Sequence, residues 1–152
     1  MLELHRRLGG PVVYDHHHHR CNRARAFADP HAALAAAYAT WPTGVWPKAH
    51  LSSPRTELRE TARGPRPPRL DSHADFATPW DAAELLRAAP GPLDVMVEAK
   101  AKDLAVLWLR RQLERVEPEL AAAEACRGAG ARGPGGPADR ARGPRRSLVS
   151  AR

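Results

Sequence analysis

Two dipeptides, Asp29-Pro30 and Thr78-Pro79, punctuate the chain in the same way. Each places a side-chain acceptor at a helix N-cap and a proline in the first turn, where its missing N–H leaves nothing unpaired. The stretches behind them, HAALAAAYATW and WDAAELLRAA, read as helices. Three apolar runs alternate with the helices: PVVYD (11–15), PKAHLSS (47–53) and PLDVMVEAK (92–100). The last unit closes with AKDLAVLWLRRQLERV, an amphipathic helix with Leu104, Leu107, Trp108 and Leu113 near one face. Strand then helix, three times over, predicts an α/β chain with a parallel sheet, because parallel neighbours need a crossover between them. Three strands cannot close a barrel, so two sheet edges stay open. Before the first strand, LELHRRL (2–8) and the GGP behind it read as two helical turns with a stop, the end of a longer element.

Charge narrows the reading less than it promises. The net charge is +7, yet residues 127–152 hold seven arginines against Asp139, while the preceding 126 residues carry 17 basic and 16 acidic side chains. The basic character is a tail property, and outside the tail it gives little argument for nucleic acid. From 117 to 152 the chain is rich in Ala, Gly, Pro and Arg without periodicity, and it reads as a disordered tail behind an ordered domain of residues 1–116. Such a tail is either a solvated appendage or a non-specific DNA contact. Cys21 and Cys126 make no disulfide framework, which fits a reducing cytosol. DLAVLWL is too short to span a bilayer, so a soluble cytoplasmic protein is expected, with no membrane partner.

Polar residues suited to metal binding gather at the ends of all three strands. The first strand ends at Asp15 and opens DHHHHRCN (15–22), a histidine run whose place behind a strand argues against an appended tag. His18 lies three residues on, Lys48 and His50 lie on the second strand, His73 in the loop behind it, and Glu98 ends the third. In parallel α/β folds the carboxyl ends of the strands form the active-site face. A mixed oxygen and nitrogen set there suits Mn²⁺, Fe²⁺ or Zn²⁺, and the lack of thiolate ligands argues against a structural zinc. Singly, such residues often cap helices or bond loop backbone; on three strands at once they define a site. His16, His17 and His19 are left to pack, to hydrogen-bond or to touch substrate. Lys48 is either repelled by cations or converted to an acid such as a carbamate. Asp71 is a ligand or a loop residue, and the four tryptophans (41, 46, 80, 108) read as packing.

Four blocks, PVVYDHHHHRCN, TGVWPKAHLSSP, SHADF and DVMVEAKAKDLAVLWL, closely resemble in order and spacing the C-terminal part of the UV damage endonucleases. The resemblance covers about residues 1–115 and leaves the tail outside. It implies that these are the last three βα units of a (β/α)₈ TIM barrel, a fold that takes about 250 residues in full. It also implies an Mn²⁺-type cluster that hydrolyses the phosphodiester on the 5′ side of pyrimidine dimers and 6-4 photoproducts in UV-damaged double-stranded DNA. Residue by residue, Asp15 and His18 match the ligands after the sixth strand, and His50 matches the histidine of the seventh. His73 matches the histidine of the following loop, and Glu98 the metal-bridging glutamate that ends the eighth strand. Lys48 matches a lysine carbamylated beside the cluster, which makes Lys48 and Glu98 the expected catalytic pair. Arg20, Asn22 and Arg55 are the DNA contacts that the resemblance implies.

The departures are as informative. The family barrel has five further βα units before this point, with further ligands and the residues that wedge into the lesion, so the expectation is a misassigned start, a split-gene half or a decayed remnant. Nicking by the chain alone is therefore expected to be poor, and an N-terminal half of the barrel is the expected partner, in a nucleoid-associated protein. The loop ELRETARGPRPPRL (57–70) is longer than the family's and adds arginines, as extra backbone contacts or as a tolerated insertion. Two rival readings remain: a metal-dependent sugar isomerase fragment of similar barrel type, and a non-catalytic DNA-binding remnant.

Overall fold

A computed structural model describes residues 1–22 and 29–123. The elements run α1 (Leu2–Leu8), β1 (Tyr14–Asp15), α2 (His16–Cys21), α3 (Pro30–Tyr38), β2 (Lys48–Leu51), α4 (Pro79–Ala88), β3 (Asp94–Val97) and α5 (Asp103–Val116). Both cap-plus-proline signals work as read. Asp29 accepts the backbone N–H groups of His31 and Ala32, and Thr78 accepts that of Asp81.

The three strands form one sheet in the order β1-β2-β3, parallel throughout. The strands are shorter than the apolar runs. At the first, the Val12 N–H goes to the Thr40 hydroxyl (2.7 Å) and its carbonyl accepts from the Trp41 indole (2.9 Å), so only Tyr14 and Asp15 join the ladder.

Burial in the sheet alternates. Tyr14, Ala49, Leu51, Val95 and Val97 are buried, while Asp15, Lys48, His50, Asp94, Met96 and Glu98 are partly or wholly exposed. Successive side chains of a strand point to opposite faces. One face is therefore roofed by Leu34 of α3, Leu85 of α4, and Ala105, Val106 and Leu109 of α5, and among the described residues the other is open. Parallel sheets are ordinarily covered on both faces. The open face is the one that bears the strand-end polar residues.

Two details of the C-terminal helices come from the packing. In α5 the inward face is Ala105, Val106 and Leu109, with Leu113 packed beside them, whereas Leu104 and Leu107 are 67% and 51% exposed. Trp108 leans outward on Phe76, ring centroids 5.3 Å apart. The helix is apolar on both sides, and small Ala105 fits closest to the sheet, so counting large residues picks the wrong side. The ordered domain also runs past Val116. Pro118 ends α5 because it cannot donate into the ladder, yet proline suits a first turn, and residues 118–123 are helical again. Leu120 packs on the core, and Glu117 is held by Arg87. The rest of the expected tail lies outside the described residues.

One buried side chain ties three elements together. Asp81, in the first turn of α4, accepts Arg20 of α2 on Oδ1 (2.5 Å). Its Oδ2 accepts the hydroxyls of Ser53, just past β2, and of Thr78, the latter at 3.0 Å. Ser53 Oγ in turn accepts the Thr78 N–H (2.7 Å). Replacing Asp81 with Ala leaves these donors without an acceptor in a largely dry place. Allowing for the partial exposure of Arg20, the loss is expected to be about 2 kcal/mol. Urea denaturation of D81A against the parent chain measures it, and an unchanged midpoint would show that the network is not holding these elements together.

Candidate metal centre

The histidine run forms a short helix, α2. Asp15 Oδ1 accepts the His18 N–H (2.8 Å), a cap that starts α2 directly behind β1. Successive residues of a helix point about 100° apart, so the four histidines go four ways. His16 turns toward Glu84 of α4, and His19 lies against the Tyr14 ring (centroids 5.5 Å). His17 is buried behind His18 and His73 (centroids 5.4 and 5.6 Å), and His18 faces His73. Burial lowers the pKa of His17, and the nearby His18 and His73 lower it further. Burial lowers that of His16 as well, against the pull of Glu84 and Asp81.

Register assembles the rest. Asp15 pairs with His50 across β1 and β2, and His50 with Met96 across β2 and β3. Glu98 follows on the same face, its N–H bonded to the Leu51 carbonyl (2.8 Å). His73 is 23 residues beyond His50 in sequence, and a local device returns it. Pro54 and His73 form an antiparallel bridge, flanked by Arg55 N–H to Ser72 O (2.8 Å) and Ala74 N–H to Ser53 O (2.9 Å). Between these anchors the arginine-rich loop folds on itself, Arg59 against Arg66, turning at Gly64 (φ +97°), whose positive φ an L side chain resists.

The side chains meet in sequence around one locus. Asp15 Oδ2 is 3.8 Å from His50 Nδ1, which is 2.8 Å from Glu98 Oε1. Glu98 Oε2 is 3.7 Å from His73 Nδ1, and His73 Nε2 is 3.2 Å from His18 Nε2. Asp15, His50 and Glu98 each offer a ligand atom within 4.8 Å of the others. The donor set fits divalent ions. Ligands at about 2.0–2.2 Å from one ion stand roughly 3 Å or a little more from each other, which is the spacing seen here. The two oxygens of Glu98 face different histidines, His50 and His73.

Of the five expected ligands, Asp15, His50 and Glu98 offer atoms within 4.8 Å of one another, His73 adjoins Glu98, and His18 adjoins His73. Lys48 shares the open face with His50 but is exposed, and among the described residues it makes no hydrogen bond or ion pair. Arg20 is engaged by Asp81, Arg55 lies 3.6 Å from Glu57, and Asn22 is exposed at the end of α2. Asp71 is held at the surface by Arg69, which lowers its pKa, and sits outside the cluster. The sequence reading missed the Asp81 network, although Thr78-Pro79-Trp80-Asp81 carries the spacing of a capping box.

A parallel α/β sheet with histidines and carboxylates converging beyond its strand ends defines a protein with a candidate metal-dependent site at the usual catalytic face. Comparison with known proteins makes the class specific. Residues 1–124 match the model of UV-endonuclease UvdE, and the chain belongs to that family. It is 36% identical over 118 residues to the UV DNA damage endonuclease of Bacillus pumilus (strain SAFR-032), covering 71% of this chain and 32% of that protein. It is 33% identical over 112 residues to the enzyme of the same name from Bacillus mycoides (strain KBAB4), covering 70% and 31%. The chain thus spans about a third of the length of the curated relatives it matches.

Glu98→Gln, nearly isosteric, is expected to weaken Mn²⁺ binding at least tenfold, since it removes the one carboxylate that faces two histidines; loss even of supporting groups commonly costs about 10- to 100-fold. Calorimetric titration with MnCl₂ reads this directly. Equal affinity in E98Q would remove Glu98 from the site.

Proposed function

We propose that this chain supplies the Asp15, His18, His50, His73 and Glu98 side of the metal centre of a UV DNA damage endonuclease. That enzyme hydrolyses the phosphodiester 5′ to pyrimidine dimers and 6-4 photoproducts. The observation that carries the reading is the run of short distances from Asp15 through His50, Glu98 and His73 to His18, on the open face of the sheet. The names of the relatives support the substrate, and the mixed oxygen and nitrogen donors suit Mn²⁺, Fe²⁺ or Zn²⁺, of which the family resemblance favours Mn²⁺. A bound divalent cation would activate water and stabilise charge developing on the scissile phosphate.

The residues' own tasks follow from their placement. Asp15 spends one oxygen on the α2 cap and keeps the other toward His50, so ligand and helix start are fixed together. Glu98 presents its two oxygens to two sides of the site. Lys48, two residues before His50 on the same face, is placed to enter the cluster once carbamylated, when it becomes an anion. Arg55, Asn22 and the arginines of the 57–70 loop, anchored beside His73, would contact the DNA backbone. Arg20 would reach a phosphate only through the part of its guanidinium that Asp81 leaves free.

Three uncovered surfaces favour a larger working unit: the open sheet face, the edges at β1 and β3, and the outward Leu104, Leu107 and Trp108. They are the surfaces that the five other units of a TIM barrel would cover, so the site works with such units packed against it, whether in the same polypeptide or in a partner. The family match weighs against the sugar isomerase reading.

The test mixes the chain with the N-terminal two-thirds of the Bacillus pumilus relative, in Mn²⁺, on UV-irradiated duplex DNA. Incision 5′ to photoproducts is expected from the mixture and not from either part, and E98Q should lower its rate by about 100-fold or more. Equal incision with E98Q, or cutting without regard to photoproducts, would contradict the proposal. Incubation of the mixture with ¹³C-bicarbonate should give a lysine carbamate signal that Lys48→Met removes.

A further inference from the structure

A second group of ligand-type side chains lies away from the strand-end cluster. His16 stands two residues before His18, about 200° around α2, and meets Asp81 and Glu84 of α4. One ligand atom from each of the three lies within 4.8 Å of the other two. We propose that His16, Glu84 and Asp81 form a second cation site, selective for Zn²⁺, that clamps α2 to α4 behind the strand-end centre.

The histidine carries the argument. The His16 side chain is 2% exposed, and its Nε2 finds no hydrogen-bond partner. Buried polar atoms are nearly always satisfied, so an orphaned imidazole nitrogen calls for an explanation. It points at Glu84 Oε2 across 3.6 Å, too far for a hydrogen bond. Two ligands of a tetrahedral zinc, each about 2.0–2.1 Å from the ion, stand about 3.3 Å apart, so a small inward shift of the half-exposed Glu84 completes the pair.

Charge agrees. Asp81 and Glu84 bring two negative charges against the single positive charge of Arg20, which leaves the group anionic. Asp81 already accepts three side-chain hydrogen bonds, so Glu84 is the carboxylate free to respond to an ion. Tyr14, His16, His31, Leu34, Glu84 and Leu85 line a tight recess beside the pair, too narrow for a water molecule, with the exposed His31 imidazole on its wall as a further donor. An imidazole with carboxylates suits Zn²⁺ better than Mg²⁺ or Ca²⁺, which prefer all-oxygen sets. Such an ion would fix the helix that carries His18 while taking no part in hydrolysis.

The experiment titrates the full chain with ZnCl₂, counts bound equivalents by equilibrium dialysis, and follows the His16 ring ¹⁵N resonance. The parent should bind one equivalent more than E84Q, and the His16 Nε2 resonance should shift on saturation in the parent but not in E84Q. Glu84 is half-exposed, so its amide analogue is expected to fold. Should E84Q unfold, the parent resonance decides alone. Equal equivalents in a folded E84Q, or a stationary His16 resonance at saturation in the parent, would overturn the proposal.

Discussion

The Asp81 carboxylate is the interaction on which the placement of the site depends. It gathers Arg20 from the histidine helix, Ser53 from the end of the central strand and Thr78 from the start of α4. Those elements respectively position His18, His50 and the loop that returns His73. A buried carboxylate is costly unless well satisfied. Its three donors converge only when α2, β2 and α4 are correctly docked, so the network selects the arrangement that brings the ligands together.

The second constraint is the sheet's alternation. With one face roofed by leucines and alanines, every second residue is free to be polar, and those are Asp15, Lys48, His50 and Glu98. Parallel register then sets Asp15 beside His50, and the Glu98 N–H bonded to Leu51 sets the glutamate one step further along. The same alternation leaves an open face and two edges, a combination that a working parallel α/β enzyme covers. Family membership and the third-length match give that openness its context. Among the described residues no helix is long and apolar enough to cross a membrane.

Much of this was legible in the chain itself, for reasons that particular residues show. Asp29-Pro30 and Thr78-Pro79 are local signals, complete within four residues, and they marked α3 and α4 correctly. Asp15, His50 and Glu98 could be picked out as candidate ligands because strand-end position and residue type suffice to set them on one rim. What stayed hidden needed tertiary knowledge. The helix that the histidine run forms depends on the Asp15 cap, and α5 is apolar on both sides, so only packing against the sheet could choose Ala105 over Leu104. The pairing of Arg20 with Asp81 spans 61 residues, beyond any periodicity. Pro118 stops one helix and starts another, and composition alone read it as the start of the tail.

The central account is that one divalent centre lies between β1, β2, β3 and the returning loop. The most direct test is an anomalous-difference map from crystals of the chain grown with MnCl₂, with data collected at the manganese edge. The account predicts a peak bounded by Asp15, His50 and Glu98, extending or repeating toward His18 and His73. A clean map at this locus, with those side chains ordered and manganese bound elsewhere, would contradict it.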